Sequence, residues 1–202
     1  MRNCRNLPLL CRFRPVSVWP KGNRFVLYIL LIMPEVTTTN ELLNEIEDTV
    51  SELVNLFLTF GDNKINEVPH EGGWPAGQVL RHVTKSTRGI ARAMQAPSKP
   101  AERDPGKMIG HLKTTFLDFG NKMQSPEFII PEEEYYNPQS SISELQDSFT
   151  RLRVNAGKTD LSGLVEGLPL GDVTKLEMLH FVLYHTQRHL HQLTKISDAL
   201  NK

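Results

Sequence analysis

The chain has 202 residues, a length that fits one domain with a sizeable core. Lys+Arg and Asp+Glu both number 23, a balance that argues against nucleic acid or an acidic membrane surface as a partner. Hydrophobic residues make up 39%, an ordinary globular value, and the only cysteines, Cys4 and Cys11, are too few and too early for a disulfide framework or a cysteine metal site. That cysteine usage fits a reducing compartment, and a cytoplasmic location is the expectation.

Residues 1–33 differ from the rest. Met1 to Arg24 is basic, without an acidic residue or helical periodicity. Phe25 to Met33 is a run of nine apolar residues, well short of the about 20 needed to span a bilayer. The preferred reading is an N-terminal extension outside the domain, with Met33 as the true start. A signal-like segment and a native disordered extension are the alternatives, and Pro34-Glu35-Val36 offers no small-residue cleavage site. Residues 34–202 then form the folded domain.

Thr38 and Glu41 have the spacing of a capping box. Leu42, Leu43, Ile46, Val50, Leu53, Val54 and Phe57 follow at helical spacing, which predicts a helix over Thr39 to Phe60, stopped at Gly61. Trp74-Pro75 opens a second helix, with proline at the first helical position. Val79, Leu80, Val83 and Ile90 give its apolar side, and His82 borders that stripe above the small residues Ser86 and Gly89. After a proline-rich loop, Lys107 to Met123 reads as a further helix, weakened by Gly110 and Gly120. Ser125 to Ser140 reads as a loop, its run Glu132 to Glu134 solvated. Ile142 to Asn155 is a helix, and Ala156 to Asp172, with Gly163, Gly167 and Gly171, is irregular. No strand is predicted. The expected fold is all-α: a four-helix bundle with an extra helix in a long connection.

The terminal helix carries the most informative pattern. Thr174 and Glu177 form a second capping-box pair, and Met178, Val182, Leu193 and Ile196 form an apolar stripe. His185 and His189 fall on that stripe four residues apart, so their imidazoles share one inward face. Two neutral imidazoles aimed at one point suit a divalent metal, and a reactive metal site needs a third protein ligand and an open position. His82 is the best placed third ligand. His111 and His70 rank below it, and His180 and His191 are rotated off the pair's face, toward surface or groove. Gln78, Ser86 and Tyr184 are candidate supporting groups, and Glu177 reads as a cap. No catalytic residue is identified.

Trp74 to Val83, with His82, paired with Tyr184 to Leu193, with His185 and His189, resembles the DinB-like superfamily of damage-inducible four-helix bundles. The resemblance runs from about Asn40 to Leu200. It implies that His82, His185 and His189 bind a divalent metal, zinc or nickel first, with manganese or iron also suited to imidazole. It also implies a metal-dependent thiol transferase or hydrolase acting on a small molecule such as a low-molecular-weight thiol, and a homodimer. Two other readings stand beside it. One is a non-catalytic metal- or small-molecule-binding stress-response bundle. The other is a scaffold whose histidines are ordinary core residues.

Overall fold

A computed structural model describes residues 38–201; the N-terminal extension assigned to residues 1–33 lies outside them. Helix α1 spans Thr39–Leu58. Its capping box forms: Glu41 Oε2 accepts the Thr38 N–H at 2.6 Å, and Thr38 Oγ1 accepts the Glu41 N–H at 3.3 Å. All seven apolar residues of the α1 stripe are buried, and each contributes about 1.5–3 kcal/mol relative to exposure. Gly61, at φ 66°, turns the chain into the short helix α2, Gly61–Lys64. Helix α3 spans Ala76–Ala93. Pro75 sits at its N-cap in extended conformation, one place earlier than expected.

Helix α4 covers Ile109–Leu117, shorter than the predicted Lys107 to Met123. The cause lies on the terminal helix. The Arg188 guanidinium donates to the carbonyls of Phe116, Asp118 and Asn121, so these groups find partners without further helical turns. A 3₁₀ turn, Glu127–Ile129, follows. Helix α5, Pro138–Ala156, starts four residues before the predicted Ile142. Asn137 caps it through the Ser140 N–H at 3.0 Å, and Pro138 occupies the first turn, where its missing N–H costs nothing. Glu132 is also more than a solvated residue. It pairs with Arg81 at 2.8 Å and Lys85 at 3.0 Å, tying the connection to α3.

The region after α5 corrects the strand-free expectation. Leu164–Leu168 (β1) and Gly171–Thr174 (β2) form an antiparallel hairpin with Val165 opposite Val173. Gly167 and Gly171, at φ 72° and 82°, take left-handed conformations that side chains resist. Only Val165, Val173 and Thr174 of the hairpin are buried, too little for an alternating apolar signal. Strand β2 runs directly into helix α6, Lys175–Leu200, because Thr174 is both its last residue and the helix N-cap.

Helix α3 packs along α5 and α6, α1 along α6 and α5, and α4 along α6. Helices α1, α3, α5 and α6 are therefore the four-helix bundle, and α4 is the extra helix in the α3–α5 connection. The core between them includes Leu53, Phe57, Leu80, Met94, Leu145, Leu152, Met178 and Leu179, all nearly inaccessible. Among the described residues no helix is long and apolar enough to cross a membrane.

Candidate metal centre

The same periodicity that buries Val79 and Val83 carries His82 inward from α3, leaving it 2% exposed. On α6, His185 and His189 lie one turn apart and are 6% and 7% exposed. The three rings meet, although His82 and His185 are 103 positions apart in the chain. His185 Nε2 is 3.1 Å from His82 Nε2 and 3.1 Å from His189 Nε2. One ligand nitrogen from each ring fits within a 4.8 Å cluster, a geometry that could hold a metal ion.

Hydrogen bonds at the far side of two rings fix which nitrogen faces the cluster. The Ile129 carbonyl, 2.9 Å from His82 Nδ1, can only accept, so Nδ1 carries the proton. Gln192 Oε1 accepts from His189 Nδ1 at 2.8 Å. Both residues thus present bare lone pairs at Nε2. A neutral His185 has at most one Nε2 proton for two facing lone pairs, and at least one close contact joins two acceptors. A cation satisfies all three nitrogens together. Nitrogens about 2.0–2.1 Å from one tetrahedral ion lie about 3.3 Å apart, close to the spacing here.

The protonation states agree. Burial, then the His189 and His82 rings, push the His185 imidazole well below its ordinary range. Burial pushes His189 down to about 3, with His82 adding to it and Gln192 opposing. Burial also lowers His82, against the Ile129 hydrogen bond. All three are neutral at pH 7, the form that binds metal. Phe181 and Phe116 pack on His185 with ring centroids at 5.1 and 5.9 Å, and Trp74 packs on His82 at 5.1 Å. These rings and the three histidines line one open groove of about 1700 Å³, larger than the roughly 300–1000 Å³ of a typical small-molecule pocket.

The remaining sequence candidates fall elsewhere. His111 is exposed on α4. His70 lies in the α2–α3 loop, where it lines the groove outside the cluster, with its Nδ1 3.1 Å from the Glu71 carbonyl. His180 is half-buried, 3.3 Å from the Tyr184 hydroxyl, and His191 stacks on Phe119 at 4.1 Å. Ser86 lines the groove; Gln78, which donates to the Glu132 carbonyl, and Tyr184 do not. Glu177 caps α6, as expected, and also takes both Arg103 nitrogens at 2.7 Å and the Met108 N–H at 2.7 Å.

Three groups at the site were not visible beforehand. Gln192 is three residues beyond His189, a spacing that could have flagged it as a partner. Arg188 shares the helix face but gave no separate signal. The Ile129 carbonyl had none, because a backbone group in a loop leaves no mark on residue type.

A family model described as the DinB superfamily matches residues 45–193. No curated protein and no solved structure gives a significant match. The match spans most of the chain and contains all three converging histidines on their bundle helices, and the chain belongs to the DinB superfamily.

Proposed function

We propose that the protein is a divalent-metal-dependent enzyme in which His82, His185 and His189 hold one ion whose open position faces the groove. The observation that carries this reading is the convergence of three neutral Nε2 atoms, two of them oriented from behind by Ile129 and Gln192. Zinc and nickel suit the all-imidazole set best, with manganese and iron compatible. A bound ion of this kind lowers the pKa of water from about 15.7 to near 7, or holds a thiol as thiolate. Thiol transfer and hydrolysis are the two reaction types that follow, with a small-molecule substrate entering by the groove.

The chain's own residues prepare that chemistry. Ile129 and Gln192 hold their rings with Nε2 forward. Phe116 and Phe181 set apolar rings beside His185 on the groove wall. Ser86, one turn beyond His82, places a hydroxyl on the groove wall. The non-catalytic alternative is favoured by a fourth protein ligand, and among the described residues the metal-competent group consists of these three.

The deciding experiment is elemental analysis of untagged protein, wild type and His82→Ala. Wild type is expected to carry about one metal per chain, lost in the variant. Metal retained by His82→Ala overturns this ligand set. No metal in wild type after reconstitution overturns the enzyme reading. Assays of thiol transfer and ester hydrolysis with the loaded protein then separate the two reactions.

A further inference from the structure

The groove leading to the histidines is unbalanced in charge, although the whole chain has a formal net charge of zero. Among the described residues, Glu127 is the only carboxylate on its walls, against seven Lys and Arg side chains. Three of the seven are already neutralised on α3. Arg81 pairs with Glu132 at 2.8 Å and Glu144 at 2.9 Å, Lys85 with Glu132 at 3.0 Å, and Arg88 with Glu144 at 3.2 Å. The other four, Arg92, Lys122, Arg188 and Lys195, have no carboxylate within ion-pair distance among the described residues.

Their placement is ordered. Arg188 adjoins His189 in sequence and is half-buried, with its guanidinium spent on backbone carbonyls that leave its charge uncompensated. Lys195 lies seven residues further along α6, on the same face. Arg92 enters from α3, ten residues beyond His82, or about 15 Å along the helix. Cations thus extend from the histidine cluster along both helices, and low-dielectric walls focus their field into the groove. The same groove also holds apolar surface: Phe119, Met123 and Phe128 line it and are 41%, 44% and 61% exposed. Bare inorganic ions do not need such surface, whereas carbon-containing ones gain from it.

We propose that the groove selects a small organic anion bearing carboxylate or phosphate oxygens. Arg92 and Lys195 hold its charge within the field of Arg188 while its reacting atom lies at the histidines. This specifies the substrate class of the metal site and rests on that reading.

The test uses thiols of three charges on cobalt(II)-reconstituted full-length protein: mercaptosuccinate, 2-mercaptoethanol and cysteamine. Thiolate binding is read from the visible absorption of cobalt. Mercaptosuccinate is expected to bind about tenfold more tightly than 2-mercaptoethanol and cysteamine more weakly, with the spread shrinking as salt rises. The double variant Arg92→Gln, Lys195→Gln is expected to lose the preference. Both residues are exposed, so its helical circular dichroism should match wild type. Equal affinities for the three thiols, or a preference that survives the double variant, overturn the proposal.

Failure of the metal reading shows separately, as no thiolate band with any thiol. The anion claim is then decided in metal-free Trp19→Phe protein by the fluorescence of Trp74, which lines the groove. Succinate should change the signal in this background and not when the double variant is added to it; no change with Arg92 and Lys195 present overturns the claim. Competition of succinate against inorganic phosphate tells carboxylate from phosphate preference.

Discussion

Gln192 does for His189 what a backbone carbonyl does for His82: it accepts the Nδ1 proton and turns Nε2 toward the cluster. Losing such a partner typically costs a metal site 10–100-fold in affinity. Gln192→Leu is therefore expected to weaken metal binding by about that factor, measured by competition with a chromogenic chelator, with helical content unchanged. Gln192→Glu keeps an acceptor at the same place and should restore binding. The three histidines themselves were legible because helical spacing places His185 and His189 on one apolar face and His82 beside another. The Ile129 carbonyl was not, since it comes from a 3₁₀ turn inside a segment that reads only as loop.

At the scale of elements, the start of α6 combines several anchors. Glu177 caps the helix and receives Arg103 and the Met108 N–H from the long connection. Burial raises its pKa, but Arg103 and the backbone donors from Thr174 and Met108 outweigh this and hold the carboxyl below its ordinary value of 4.5. The sign follows from the depressed folded value: the stabilisation is present above the unfolded pKa and lost as pH falls through the lower folded one. Wild type should therefore lose stability below about pH 4.5 more steeply than Glu177→Gln, as followed by thermal melts across pH. At pH 7 the variant should be destabilised by about 2 kcal/mol, because Arg103 loses its charged partner.

Gly77 makes a second element-level case. A Cβ there would meet Tyr136 Cβ at 2.7 Å, so Gly77→Ala should lower the melting temperature despite alanine's better helix propensity. The two capping boxes and the apolar stripes made the long helices readable. The start of α5 was hidden because Pro138 marks both a loop and a helix's first turn. The hairpin was hidden because its glycines, read as irregular chain, are what its backbone turns require.

For the whole molecule, balanced composition and five helical patterns were enough for a bundle with one helix in a long connection. They said little about the groove, whose walls come from the α2–α3 loop, α3, α4 and the loop after it, the hairpin tip at Leu168 to Leu170 and α6. Residues so far apart in the chain share a wall only after the fold has formed. The contact between His82 and His185 has a consequence at this scale. It joins positions 103 residues apart, so an ion shared by the two rings would be a cross-link between them. In chain-entropy terms, closing a loop of about 100 residues restricts the unfolded state by about 4–5 kcal/mol. A chelator should therefore lower the calorimetric melting temperature of wild type and leave that of His82→Ala unmoved. The ion would then act as a non-covalent staple, and its supply would set how long each folded copy survives.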